Sequence, residues 1–306
     1  MIAYHKKLLK AGKVGFWRKR GIDTESKVIT GFGPITGFPG NPNKFAHYNF
    51  LFDELNAFEH NGSTVDYLGI GLSISTSDAG AMAGLDTDSI AWIRPDNANL
   101  QMMTFNFSTE TWSTTGSPVN ASTDNNERAI IALNSTYVVL QDENNLFQNI
   151  RVWKYNGSTW VTETSSYQTG HNNIRMCRLN DSQFLIGDRD NDEWVVYTLE
   201  NATITQESIS LPFPGDFSNL AFFDACPLLS TGDNQFVVSY SDFSEGFYIQ
   251  AFNFTGSKFS AISEQYDMSN LIDAQDYRVR ICNLEDNCIL LASNDSNKSV
   301  AVELVR

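Results

Sequence analysis

The stretch YNGSTW, residues 155–160, places a short polar turn between two bulky residues, and the same arrangement returns elsewhere in the chain. HNGSTV at residues 60–65 and FTGSKF at residues 254–259 repeat it. Bulky residues on both sides of a tight polar turn are typical of two adjacent strands of a hairpin that bury the same face. The repetition therefore predicts several hairpins of one design.

A longer repeat becomes visible when the chain is aligned on this turn. The key position of the strand that leads into the turn is aromatic in five copies and aliphatic in the sixth: Phe58, Phe105, Trp153, Tyr197, Phe252 and Val302. The spacings are 47, 48, 44, 55 and 50 residues. Seven residues after each of the first five comes a second apolar residue: Val65, Trp112, Trp160, Ile204 and Phe259.

Two further strands precede each hairpin. A leucine closes the first of them before a polar turn, at Leu85, Leu133, Leu179, Leu229 and Leu284. The next strand opens at Ile90, Tyr137, Phe184, Phe236 and Ile289. Four short strands in a period of this length are the sequence mark of a β-propeller blade, so the pattern predicts an all-β protein.

The number of copies predicts a single propeller of six four-stranded blades over residues 26–306. The last copy stops after three strands, so a segment near residues 26–33 (SKVITGFG) is expected to supply the missing outer strand. Five blades are the alternative, because GFPGNPN at residues 37–43 is a poor strand. The chain resembles the β-propeller class without WD40 or kelch signatures. The W-x-Y-N-G-S-T-W phrase that ends at residue 160 is similar to turns of uncharacterised bacterial and bacteriophage propellers.

Residues 1–25 are predicted to form a basic docking arm. Residues 1–20 contain no acid, and their cations are Lys6, Lys7, Lys10, Lys13, Arg18, Lys19 and Arg20. The rest of the chain has 14 Lys and Arg against 36 Asp and Glu, so the arm is about +7 and the body about −22. We expect the arm to bind an acidic surface of another structural protein, with Phe16 and Trp17 as apolar anchors. A solvated basic tail is the alternative.

Two sets of charged residues are candidates for a binding site. Five copies carry an acid six residues after the second strand opens, at Asp96, Glu143, Asp190, Asp242 and Asp295. These turns are expected on one face, where the acids would form a collar that binds a cation or docks a partner, or would cap their own turns. The innermost strands carry Arg128, Arg175 and Arg280, which predict an anion site in the central channel or salt bridges to neighbouring turns.

The sequence predicts no metal site, cofactor or catalytic residue. Four histidines are scattered, and no GxSxG motif marks a nucleophile. Cys177, Cys226, Cys282 and Cys288 are expected to be buried free thiols, with a Cys282–Cys288 disulfide as the alternative. No apolar run approaches the roughly 20 residues of a membrane span, and the acidic body disfavours nucleic acid.

These observations predict a non-enzymatic structural or adhesion module of a larger particle. We expect a bacteriophage virion component of the tail, collar or fibre, held by its basic arm and able to contact a cell-surface glycan. Its location would be the virion after assembly in the host cytoplasm, or otherwise the cytoplasm. A carbohydrate-binding lectin or a glycoside hydrolase is the alternative, since propellers host all of these functions.

Overall fold

The computed structural model describes most of the chain from Gly15 onward. The described residues are 15–23, 33–49, 52–62, 64–73, 80–94, 99–121, 129–144, 147–171, 174–188, 191–212, 220–228, 234–242, 246–271, 279–293 and 298–305. They form 26 strands in six antiparallel sheets, which confirms the all-β prediction. Nothing in these residues is a helix with the length and apolar character needed to cross a membrane.

The first three sheets, blades one to three, each follow the chain from the innermost strand outward. Blade one holds β2 (Ile35–Gly37), β3 (Lys44–Asn49), β4 (Glu54–His60) and β5 (Val65–Ser73). Blade two holds β6 (Ala81–Gly84), β7 (Ser89–Ile93), β8 (Asn99–Asn106) and β9 (Thr111–Asn120). Blade three holds β10 (Ile130–Ala132), β11 (Tyr137–Asn144), β12 (Phe147–Tyr155), β13 (Trp160–Thr162) and β14 (Tyr167–Gln168).

Blades four and five repeat this order, and blade six takes its outer strand from the beginning of the chain. Blade four holds β15 (Arg175–Arg178), β16 (Gln183–Asp188), β17 (Glu193–Glu200) and β18 (Thr203–Pro212). Blade five holds β19 (Leu220–Pro227), β20 (Gln235–Asp242), β21 (Gly246–Phe254), β22 (Phe259–Ala261) and β23 (Tyr266–Asp267). Blade six holds β24 (Val279–Glu285), β25 (Cys288–Ser293), β26 (Lys298–Val305) and β1 (Phe16–Asp23).

The six innermost strands close into a ring. Each of β2, β6, β10, β15 and β19 contacts the innermost strand of the next blade, and β24 of blade six contacts β2 of blade one. The chain is a six-bladed β-propeller. The five-bladed alternative is wrong, because the short strand β2 with the turn after it completes blade one.

The repeated apolar residues fill the interfaces between blades. Six hydrophobic clusters each join two adjacent blades, and each holds one member of the aromatic repeat: Phe58, Phe105, Trp153, Tyr197, Phe252 and Val302. Val65, Trp160 and Ile204 lie in the same cluster as their partner seven residues upstream, and Trp112 and Phe259 pack against it. The prediction that each pair buries one face is confirmed. The repeat exists because each interface needs this apolar volume.

The strand that closes the ring is β1, and the prediction of a closing strand at residues 26–33 is wrong. β1 pairs with β26 antiparallel, from Phe16 opposite Val305 to Asp23 opposite Ser299. Trp17 is only 5% exposed and lies in the cluster between blades five and six. Its Nε1–H donates to Ser263 Oγ at 3.1 Å. Burial of this large indole explains why this segment, rather than the following one, completes the sheet.

The domain boundary predicted at residue 25 therefore falls inside the propeller. Arg18 pairs with Glu303 at 2.7 Å, and Arg20 pairs with Glu285, both on blade six. The prediction that Phe16, Trp17, Arg18, Lys19 and Arg20 form a free docking arm is corrected, because these residues belong to a strand of the ring. Lys6, Lys7, Lys10 and Lys13 lie outside the described residues.

Candidate functional site

The channel inside the ring contains a cavity of about 180 Å³ that all six innermost strands line. Each of these strands leads into a turn closed by the backbone of one buried residue. The N–H groups of Leu85, Leu133, Leu179 and Leu228 donate to the first residue of the next strand, at 2.8–2.9 Å. Phe38 N–H donates to Lys44 in the same way, at 3.1 Å, and Leu284 is buried at the matching place in blade six.

This register corrects the sequence alignment by one residue in blade five. The leucine that closes its innermost strand is Leu228 rather than Leu229, and Leu228 is fully buried. The correction matters for the site, because the residue four positions before the closing leucine is then Asp224. Arg175 and Arg280 stand four positions before Leu179 and Leu284. The three charged residues therefore occupy equivalent positions on three consecutive blades.

One ring of side chains is defined by this position in all six blades. We call it the inner ring, and its members are Pro34, Ala81, Ala129, Arg175, Asp224 and Arg280, all of which line the cavity. Blades one to three contribute small uncharged side chains, and blades four to six contribute Arg, Asp and Arg. One half of the channel is therefore apolar, and the other half carries two guanidinium groups around one carboxylate.

Asp224 is held by hydrogen bonds from two blades. Its Oδ1 accepts the N–H of Ala225 at 3.0 Å, and its Oδ2 accepts the N–H of Ile281, on β24 of blade six, at 3.4 Å. Burial raises the pKa of this carboxyl above the usual aspartate value, while the charges of Arg280 and Arg175 act in the opposite direction. The two guanidinium groups and the two backbone N–H groups therefore oppose the effect of burial on the pKa of this carboxyl.

Three cysteines line the cavity two residues further along the same strands. Cys177, Cys226 and Cys282 are at most 5% exposed, and all four cysteines of the chain are free and buried, as predicted. Burial raises the pKa of each of these three thiols. The thiols are therefore neutral at physiological pH, and they give the charged half of the channel an uncharged wall.

The channel arginines of the sequence prediction are partly found at the site. Arg175 and Arg280 border the cavity as the sequence predicted, whereas Arg128 lies outside the described residues. Asp224 was missed. Its signal is present in the sequence, because RMC, DAC and RIC repeat a charged residue two positions before a cysteine, at residues 175–177, 224–226 and 280–282. Arg178 also borders the cavity, and its guanidinium pairs with Asp181 at 2.7 Å.

The acidic collar stays a prediction. Asp96, Asp190 and Asp295 lie outside the described residues, and the side chains of Glu143 and Asp242 are not described. The backbone of Asp242 pairs with Leu220, four residues before Asp224 on β19. Asp242, the last residue of β20, therefore lies beside the first residue of β19. No group of three or more His, Cys, Asp or Glu side chains in the described part of the chain is arranged to hold a metal ion.

A buried polar network lies in blade four and reaches back to the segment after β14. His171 Nδ1 is 2.6 Å from Asp188 Oδ2, and His171 Nε2 is 2.9 Å from the hydroxyl of Tyr197. That hydroxyl donates to Gln206 Oε1 at 3.2 Å, and Asn191 Nδ2 donates to Asp188. Sequence reasoning missed this network, because its members are scattered along the chain. It does not line the channel cavity, and its chemistry is that of a structural cross-link.

A second buried histidine makes the stability of the fold depend on pH. Burial lowers the pKa of His47 from 6.5 to about 4, and its Nδ1 has no hydrogen-bond partner among the described atoms. Below pH 6.5 His47 is protonated in the unfolded chain, whereas in the folded chain it stays neutral down to about pH 4. The free energy of unfolding therefore decreases as the pH is lowered. When the pH is lowered from 7 to 4.5, we expect His47 to reduce the free energy of unfolding by about 2–3 kcal/mol. Urea unfolding at both pH values should show a smaller loss for His47→Gln, and equal losses would contradict the prediction.

The fold recurs in solved structures of very different sequence. A functionally unknown protein from Desulfotomaculum acetoxidans DSM 771 is 12% identical, with a TM-score of 0.55 over 90% of this chain and 84% of that one. A protein of unknown function from Bacteroides thetaiotaomicron VPI-5482 is 13% identical, with a TM-score of 0.56 over 96% and 74%. A chain of the mitotic checkpoint complex is 11% identical, with a TM-score of 0.58 over 94% and 96%.

These likenesses show the fold alone, because the identities are so low. No family model matches the chain, and no curated protein matches it. Two of these three neighbours are of unknown function, and a shared fold does not transfer a role, so the role of this protein must be argued from its own residues.

Proposed function

We propose that the protein is a non-enzymatic adhesion module, which binds a ligand in its channel and is attached to a larger assembly by residues 1–14. The observation that carries this proposal is the position of Gly15, which lies apart from the strands that line the channel. Gly15 lies at the outer edge of the ring, bridged to Ser263, and its N–H donates to Ile262 at 2.8 Å. The charged residues of the inner ring lie on the innermost strands.

The assembly in this proposal is a bacteriophage virion, with the protein in its tail, collar or fibre. The support comes from the sequence. Residues 1–14 carry Lys6, Lys7, Lys10 and Lys13 and no acid, which suits an acidic surface of a partner protein. The W-x-Y-N-G-S-T-W phrase resembles turns of uncharacterised bacterial and bacteriophage propellers.

The chemistry of the cavity favours recognition over catalysis. Guanidinium and carboxylate groups together can bind a ligand through charge-assisted hydrogen bonds. The thiols beside them are weak nucleophiles because burial raises their pKa. Most glycoside hydrolases use two carboxyl groups, and within the described lining of the cavity Asp224 is the one carboxylate.

The attachment is tested by comparing the full chain with a chain that starts at Gly15. Both should fold, since β1 is intact in each. The full chain should co-sediment with purified particles, and the shorter chain should remain in the supernatant. A full chain with Lys6, Lys7, Lys10 and Lys13 changed to Gln is the matched control for charge. If both chains sediment equally, or if neither does, the attachment proposal is wrong.

A soluble lectin or glycoside hydrolase is the second candidate, and the position of Asp224 in the cavity is the observation that favours it. Hydrolysis would release reducing sugar from an acidic polysaccharide, and Asp224→Asn would abolish that release. Binding without release would leave the protein a lectin. Turnover that depends on Asp224 would replace the adhesion proposal with an enzyme.

A further inference from the structure

We infer that Asn61 is a site of self-catalysed deamidation, with the neighbouring His60 as the general base. In this reaction the backbone nitrogen of Gly62 attacks Cγ of Asn61, and the side-chain amide is released as ammonia. The inference concerns the turn between β4 and β5 and does not depend on the proposed function. It rests on the hydrogen bonds that hold the nucleophile, the amide and the imidazole together in this turn.

The nucleophile is a backbone nitrogen that already donates to a base. Gly62 N–H donates to His60 Nδ1 at 3.2 Å, so this ring nitrogen carries no proton and can accept one. His60 is buried, and its own N–H donates to Asn43 O at 2.8 Å, which holds the residue in place. A base within hydrogen-bond reach accelerates the attack, because the nitrogen reacts only as it loses its proton. His60 therefore contacts the reacting atom itself.

The electrophile is the side-chain amide of Asn61, which is held at both ends. Its Oδ1 accepts the N–H of Thr64 at 2.9 Å, and its Nδ2 donates to Asp66 Oδ2 at 2.6 Å. The Thr64 N–H polarises the carbonyl and stabilises the negative charge that develops on the oxygen when the nitrogen adds. Gly62 has a φ of +95°, and no atom lies within 4 Å of the place that a Cβ would occupy. The ring can therefore close without hindrance from a side chain.

The bonds and protons of the reaction balance without an oxidant or a cofactor. His60 removes the proton of Gly62 N–H, a bond forms between this nitrogen and Cγ of Asn61, and the bond from Cγ to Nδ2 breaks. The leaving nitrogen takes the proton back from the imidazolium and departs as ammonia, which leaves a cyclic succinimide. Water then adds to a carbonyl of the ring, which opens to aspartate or isoaspartate. Either product adds a negative charge to a chain of formal net charge −15.

The corresponding turn of blade three provides a matched control within the same chain. It repeats the sequence as YNGST at residues 155–159, with Tyr155 in place of His60. Asn156 Oδ1 accepts two backbone N–H groups of its turn at 3.0 Å, so its carbonyl is polarised as well, and Gly157 has a φ of +94°. Tyr155 has no ring nitrogen that could accept the Gly157 N–H. The difference in rate between the two asparagines therefore reports the contribution of the histidine.

Both rates are measured on the full chain, incubated at neutral pH and mapped at intervals by mass spectrometry for aspartate and isoaspartate. Asn61 should deamidate at least about tenfold faster than Asn156, since general base catalysis typically contributes a factor of about 10²–10⁴. In concentrated urea, where the turns are unfolded, the two rates should become nearly equal. Equal rates in the folded chain, or an excess at Asn61 that persists in urea, would refute the role of the folded turn.

Reciprocal variants assign the effect to the imidazole. His60→Gln keeps an acceptor at this position but no base, so it should lower the rate at Asn61 about tenfold or more and leave Asn156 unchanged. Tyr155→His places an imidazole in the matched turn and should raise the rate at Asn156 about tenfold. An unchanged rate at Asn61 in folded His60→Gln would overturn the inference. If His60→Gln fails to fold, Tyr155→His decides, and an unchanged rate at Asn156 then overturns it.

Discussion

A chain that begins at residue 24 should fail to form the stable ring that the full chain forms. It lacks β1, which pairs with β26 over its whole length, and it lacks the indole of Trp17. Without β1, blade six ends in an open edge whose unpaired backbone groups invite association. Loss of a buried Trp side chain costs about 3–5 kcal/mol, which is a large part of the 5–15 kcal/mol that stabilises a typical domain.

Point variants measure how much individual side chains of β1 contribute to this stability. Trp17→Ala should lower the free energy of unfolding by about 3–5 kcal/mol in urea titrations, because the cluster between blades five and six loses its largest side chain. Arg18→Gln is the control on the same strand. Its side chain is 61% exposed, so loss of its pair with Glu303 should cost no more than about 1 kcal/mol. Equal urea midpoints for the full chain and the chain from residue 24 would show that β1 does not close the ring.

The blade repeat could be predicted from the sequence because its signal is carried by buried residues. Each interface between blades is filled by an apolar side chain on the third strand, which is aromatic in five of the six blades, and the polar turn after it keeps the next strand on the same face. Phe58 and Trp153 mark this position in widely separated blades, and both are buried where the repeat predicts. A one-residue slip in such a hairpin would turn the apolar face to solvent, so the pattern is strict.

The closing strand could not be located in this way. β1 is separated from its partner β26 by almost the whole chain, and it lacks the polar turn that marks the other hairpins. Its cations suggested a free arm, although Arg18 and Arg20 pair across blade six. Trp17 was interpreted as an anchor for a partner because it lies in a basic segment, which is typical of an exposed surface. In the structure the indole packs within the same chain and donates to Ser263.

The charged half of the inner ring was within reach of the sequence but depended on one alignment choice. Two leucines follow one another at residues 228 and 229, and the first closes the strand. Alignment on Leu229 places Asp224 five positions before the leucine, whereas Arg175 and Arg280 lie four positions before theirs. With that alignment the sequence does not reveal that one half of the inner ring is charged and the other half apolar, which is the feature that makes the ring a candidate site.

The second large effect is expected at the buried network of blade four. His171→Leu removes the ring nitrogen 2.6 Å from Asp188, whose side chain is fully buried. Removing one partner of a buried hydrogen bond typically costs about 1–3 kcal/mol, because the remaining polar group loses a partner that water cannot replace. Urea unfolding should show this loss in full. Asp181→Asn is the control for an exposed ion pair and should cost at most about 1 kcal/mol.

A double-mutant cycle separates the interaction from simple loss of packing. If the histidine serves mainly to satisfy Asp188, then His171→Leu combined with Asp188→Leu should cost clearly less than the sum of the two single changes. The carboxylate that needs a partner is then absent, and apolar side chains can fill part of its place. Additive losses would instead show that each side chain contributes through its own contacts with Tyr197, Asn191 and the surrounding core. That outcome would show that the hydrogen bond between His171 and Asp188 is not what stabilises blade four.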